Sequence, residues 1–292
     1  LQEIAVRWDD LRESTNIEDA RASSGGGGPG LRFGVGGTLL ALAASYFFGV
    51  DPRLIMGLMS AVPSSQTAVP AAQSGIPQDE QGRFIAAVLG ETEDVWGAIF
   101  QAQGATYTPP KLVLYRDSLP SACGSANSAV GPFYCPTDRK VYLDLGFFQQ
   151  LADEFQAPGQ FAQAYVVAHE VGHHVQNLLG IGPKVRAAQE RASEAQANQL
   201  SVRLELQADC FAGVWAKNGD AAKHFLEQGD VDSALRAAAA VGDDTLQKRA
   251  QGYVVPESFT HGSSAERMSW FKRGFDGGAI SNCDTFAADS GV

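Results

Sequence analysis

Residues 169–173 read His-Glu-Val-Gly-His and His174 follows at once, so three of the chain's five histidines fall within six positions. On a helix, positions i and i+4 are separated by about 40° of rotation, so His169 and His173 can present their imidazoles to one ion. Glu170 then reaches a water on that ion, the placement of a general base in metal-assisted hydrolysis. His174, five residues after His169, points about 140° away and is assigned to packing or to an outer role. A hydrolytic zinc takes three protein ligands and keeps one position open. A third histidine in the longer H-E-x-x-H-x-x-G-x-x-H pattern is excluded, because Gln176 and Leu179 occupy its glycine and last histidine positions.

The remaining ligand is sought on the next long helical stretch, "SVRLELQADCFAGVWA" at 201–216. Leu204, Ala208, Phe211 and Trp215 follow helical spacing and form its core stripe. Glu205 and Asp209 lie side by side at the edge of that stripe, one turn apart. Carboxylates beside a core face are costly without partners. A zinc ligand at Glu205, and at Asp209 an acceptor for a ligating imidazole N–H, supply those partners. His261, in the "FTHG" loop ahead of the capping box "SSAE" (263–266), is the candidate donor to a reacting oxyanion. His224 is assigned to the surface.

These side chains need helices to hold them. Helices are expected at 79–102, 160–179, 187–217, 220–228, 231–241 and 264–274 from periodicity and end signals such as Pro158-Gly159, Gly180 and Pro183. "KLVLYR" (111–116) and "KVYLDL" (140–145) read as strands, and the second is expected to be an exposed edge open to an extended peptide. The fold class is therefore α+β, predominantly helical, with a small β element. Cys123 and Cys135 bracket the excursion between the strands and are expected to be bridged in an oxidising compartment. Cys210 and Cys283 remain as a possible second pair, a connectivity that the sequence does not establish.

Ahead of this domain the composition changes. Residues 1–32 form a charged leader ending in the Gly-rich linker "SSGGGGPG" (23–30), and residues 33–50 carry no charge over eighteen positions. That length meets the lower limit for a transmembrane helix. Arg7, Arg12, Arg21 and Arg32 precede it, against Arg53 just after, so the leader is expected in the cytoplasm and the bulk of the chain outside it. Residues 51–78 read as a Ser/Ala/Pro-rich linker and 79–292 as the catalytic domain. A net charge of −11, with no cluster of Lys and Arg, argues against a nucleic-acid partner.

The 33–50 span, "CGSANSAVGPFYCPTDRKVYLDLGFF", "AYVVAHEVGHHVQNLLG", "LSVRLELQADCFAGVWA", "GDDTLQ", "PESFTHGSSAERMSWFKRGF" and "CDTF" together resemble the bacterial YpfJ-like neutral zinc metallopeptidases over nearly the whole chain. The resemblance implies a zincin-like metallopeptidase domain with glutamate as third zinc ligand, tethered to the bacterial cytoplasmic membrane and acting on a peptide or protein substrate. Two other functions fit the same residues. One is a zinc hydrolase acting on a non-protein, cell-wall amide; the other is a tethered binding module in which zinc is structural. Glu170 argues against the last, as does the lack of a fourth Cys or His at an obvious spacing to close the site.

Overall fold

The computed structural model describes residues 6–22, 72–127 and 130–287. The stretch at 33–50, expected to span a membrane, lies outside the described residues. Among those described, no helix is long and apolar enough to cross one. The architecture is α+β and mostly helical, with two small sheets.

The larger sheet is built on short strands, β1 (Ile17–Asp19), β2 (Gln73–Ser74) and β3 (Lys111–Tyr115), with β4 (Ser118–Ser121) and β5 (Gly124–Asn127) forming a separate hairpin. β6 (Phe133–Cys135) and β7 (Lys140–Asp144) complete it in the order β2-β1-β3-β7-β6. β1, β3 and β7 run parallel, while β2 and β6 are antiparallel edges. "KVYLDL" is thus an interior strand and not the expected edge. Its continuous burial from Val141 to Asp144 is what a strand covered on both faces requires. The open edge beside it is β6.

Residues 6–22, expected to be a leader separate from the domain, are part of this body. Ile17–Asp19 pair with Leu112–Leu114 on one side, and Glu18 faces Ser74 on the other. Trp8 is buried edge-on against Phe84 at 5.8 Å, and Ser14, Asn16 and Arg12 all donate to Glu93. The folded unit therefore begins well before residue 79. No strand periodicity announced β1, because three residues bonded on both sides need only backbone groups.

Eight helices carry the rest: α1 (Glu80–Ala102), α2 (Gly146–Asp153), α3 (Gln160–Leu178), α4 (Ile181–Gln189), α5 (Glu194–Lys223), α6 (Asp230–Ala240), α7 (Asp243–Gln251) and α8 (Ser264–Gly277) among the described residues. The expected helices at 187–217 and 220–228 are replaced by α5, which starts later at a Ser193 capping box and runs on to Lys223. It stops because His224 turns left-handed (φ 53°), which sends Phe225 into the core beside Trp215 and Phe161. Both disulfides, Cys123–Cys135 and Cys210–Cys283, are present.

Two close helix contacts hold α3, α5 and α8 together around a shared cleft. A Cβ on Gly172 would lie 3.0 Å from the Ala208 carbonyl oxygen, so the glycine inside His-Glu-Val-Gly-His is what lets α3 lie against α5. Gly274 of α8 meets the Cys210 carbonyl in the same way, and α8 packs along α5 more extensively than any other helix pair.

Candidate metal centre

α3 presents His169, Glu170 and His173 on the face that meets a cleft of about 630 Å³, and α5 brings Glu205 to the same place. The His169 Nε2 is 3.2 Å from Glu205 Oε2 and the His173 Nε2 is 3.4 Å from Glu205 Oε1. One donor atom from each of the three residues lies within 4.8 Å of the others. The spacing expected from the sequence is thus realised, with both imidazoles turned to one carboxylate.

The other nitrogen of each ring is already held. His169 Nδ1 lies 2.8 Å from Asp209 Oδ1, as expected, and His173 Nδ1 lies 2.9 Å from Gln176 Oε1. An imidazole that donates its far N–H to a carboxylate or amide oxygen has its tautomer and ring plane fixed, with Nε2 left as the ligating atom. Burial opposes charge on His169, yet Asp209 and then Glu205 hold its pKa up at about 10. His173 is likewise raised by Glu205 against the pull of burial. The half-buried Glu205 carboxyl stays well below its usual range, because the two histidines outweigh desolvation. This acidic pocket draws positive charge to its three ligating atoms, and a divalent cation there meets the same demand with nitrogen and oxygen donors suited to zinc. The residues present fit the metal.

Several partners in this arrangement were not read from sequence. Asp209, with no exposure, also accepts from the Tyr165 hydroxyl and from Arg267, whose Nε and Nη2 lie 2.8 and 3.0 Å from its two oxygens. Arg267 is itself buried and stands 3.9 Å from Glu205. A buried guanidinium paired in this forked way locks the carboxylate that orients His169. Gln176 donates to the Leu204 carbonyl (2.7 Å) and to Gln207, which in turn donates to the Cys283 carbonyl (2.9 Å). Spacing gave a signal for Tyr165 and Gln176, one turn before His169 and three residues after His173 on the same helix. Nothing local points to Arg267, which arrives from α8, and no spacing rule singles out Gln207 although it sits between Glu205 and Asp209 on α5.

Glu170 is 7 % exposed and lines the cleft beside the cluster. Burial raises its carboxyl above the ordinary range, against the charge of His169 and His173. His261 lines the same cleft. Its Nδ1 lies 3.2 Å from Asp243 Oδ1, and Asp243 Oδ2 accepts the backbone N–H groups of Thr260, His261 and Gly262 at 2.7, 2.6 and 3.0 Å. Asp243, another partner missed in the sequence, therefore shapes the whole "FTHG" turn and, through its hydrogen bond to the ring, raises the His261 pKa. His174 takes no part. Its ring contacts the Tyr134 hydroxyl and the Thr108 carbonyl, and burial lowers its pKa to about 4. His224 is exposed at the end of α5.

Comparison with known proteins agrees with this geometry. Residues 6–286 match the model of the family described as "Putative neutral zinc metallopeptidase". The chain is 52% identical over 289 residues to the uncharacterized protein YpfJ of Escherichia coli K12, spanning 96% of this chain and 99% of that one. It is 41% identical over 254 residues to the uncharacterized protein Rv2575 of Mycobacterium tuberculosis H37Rv, spanning 82% of this chain and 84% of that one. No solved structure matches the chain.

Proposed function

From the premise that this chain belongs to the neutral zinc metallopeptidase family, we propose that it is a zinc-dependent peptidase whose centre is His169, His173 and Glu205, with Glu170 as general base. The observation that carries this reading is the convergence of three ligating atoms within 4.8 Å, in a cleft that also holds a buried carboxylate and an oriented histidine.

Zinc bound by these residues supplies Lewis-acid polarisation of the scissile carbonyl and makes a water acidic near neutrality. Glu170 accepts the proton of the attacking water and hands it to the leaving amine nitrogen. His261, with Nδ1 tied to Asp243, offers its Nε2–H to the oxygen that gains charge as the carbonyl carbon becomes tetrahedral. Asp243 is thus a positioning residue for His261. β6, the open antiparallel edge whose Phe133 and Tyr134 line the cleft, is the strand against which an extended substrate pairs.

The cellular placement belongs to the same proposal. A body on the extracytoplasmic side of a bacterial membrane suits two disulfides. Pairing of β1 with β2 and β3 puts residues on both sides of 33–50 in one body, which is at odds with the single crossing and cytoplasmic leader expected from the arginine count.

The test is metal analysis with digestion of a peptide library. The wild-type protein is expected to hold about one zinc, to cut peptides, to stop with a chelator and to recover with zinc. Glu205→Gln should lose both metal and activity; full zinc and full activity in that variant would remove Glu205 from the site. Cleavage of a cell-wall fragment in place of every peptide would move the substrate to a non-protein amide.

A further inference from the structure

The cleft is not uniform along its length, and one wall stands out. α7 reads "DDTLQKRAQ", a polar surface helix in which Leu246 is the one large apolar side chain. Leu246 lines the cleft and belongs to neither apolar core cluster among the described residues. The same helix begins with Asp243, which holds His261, and near its end Arg249 lies 4.7 Å over the Phe155 ring. Phe155 is thereby held against α7 and lines the same cleft as Leu246. Val166 completes the wall from α3; it lies four residues before Glu170, so this surface starts about 6 Å along the helix axis from the base. Val241, just ahead of α7, lines the cleft too, and its carbonyl accepts Arg267 Nη1 at 3.4 Å.

The other end of the cleft differs in chemistry. Gln176, Asn177, Arg186 and Gln189 line it from the end of α3 and from α4. An apolar wall joined to a polar one, with Glu170 between Val166 and Gln176 along α3, distinguishes the two sides of a scissile bond.

We propose that Phe155, Val166, Val241 and Leu246 form the subsite for a large aliphatic or aromatic side chain of the peptide, adjacent to the bond that is cut. This rests on the peptidase reading above and adds the substrate class. The occupant is a substrate side chain because the wall is continuous with the catalytic cleft and is built by the helix that orients His261. An apolar pocket separates side chains differing by one methylene by roughly 10- to 200-fold, so Leu against Ala is expected to exceed tenfold. An acidic side chain is disfavoured further, since it would lose its hydration against the apolar surfaces of Phe155, Val166, Val241 and Leu246.

The experiment uses the zinc-loaded full chain and dipeptide hydroxamates differing only in the side chain next to the hydroxamate: Leu, Phe, Ala or Asp. Binding is read by calorimetry, independent of turnover, and kcat/KM is read on peptides varied in the same way. The Leu and Phe compounds are expected to bind more than tenfold tighter than Ala, with Asp weakest. Leu246→Asp should erase the Leu-over-Ala preference while zinc content stays at the wild-type value; Leu246→Ala should reduce that preference in part. Equal affinity across the series, or an unchanged preference in Leu246→Asp, overturns the subsite and leaves the peptidase reading standing. Failure of every hydroxamate to bind a zinc-loaded protein overturns both.

Discussion

Asp209→Asn is the substitution for which the structure predicts two separable losses. The Asp209 carboxylate is fully buried and accepts from His169 Nδ1 at 2.8 Å and from Arg267 at 2.8 and 3.0 Å. Asparagine keeps the shape but removes the charge and replaces one acceptor by a donor, so it cannot serve both partners. Loss of the carboxylate behind a ligating histidine costs about 10- to 100-fold in metal affinity, or roughly 1.4 to 2.8 kcal/mol. Separately, Arg267 becomes a buried charge without its counter-ion, which costs about 3 to 5 kcal/mol in the metal-free fold. For a domain of this size that is a fall in Tm of roughly 6 to 20 °C. Chelator competition measures the first loss and thermal unfolding in chelator measures the second. The double variant Asp209→Asn with Arg267→Met removes both charges, so it should regain most of the stability and little of the affinity. Wild-type zinc affinity in Asp209→Asn, or full affinity in the double variant, would refute the orienting role of Asp209.

Three further outcomes are expected. His261→Ala should keep zinc and lower kcat by about 10²- to 10³-fold, and Asp243→Asn should lower kcat less while shifting the basic limb of the pH–rate profile; an unchanged kcat in His261→Ala would place that ring outside the chemistry. Glu91 is 1 % exposed, its carboxyl oxygens have no hydrogen-bond partner among the described residues, and burial raises its pKa from 4.5 to about 7. The folded state therefore holds this proton to higher pH than the unfolded chain, so stability is full below about pH 4.5 and falls as pH rises through about 7, by a total of about 3 kcal/mol. Glu91→Gln should flatten that part of the stability–pH curve in chemical denaturation; an identical fall in both proteins would contradict it. Finally, Asp10→Cys and Asp153→Cys, both exposed positions, should react from the same side of the membrane with an impermeant maleimide in intact spheroplasts. Labelling of only the second would separate the leader from the body.

The site was legible in sequence where its logic is local. His169, Glu170 and His173 follow from helical rotation, and Glu205 with Asp209 from carboxylates that needed partners beside an apolar stripe. Arg267 and Asp243 were not legible, because their roles exist only once α8 lies along α5 and α7 meets the "FTHG" turn. No spacing rule spans the 58 residues between Asp209 and Arg267. The fold divides in the same way. α1, α3, α6 and α8 carried periodicity and end signals, and β3 and β7 read clearly as strands. β1, β2 and β6 are two or three residues long and gain their order from neighbouring strands. The edge expected at β7 failed because alternation within one strand does not reveal a partner formed from Phe133–Cys135.

The central claim is that one zinc, held by His169, His173 and Glu205, works through Glu170. Zinc content and peptide cleavage measured together on Glu170→Gln test it most directly. The expected result is about one zinc per chain, as in wild type, with cleavage lost by several orders of magnitude. Zinc retained with cleavage near the wild-type rate would contradict it.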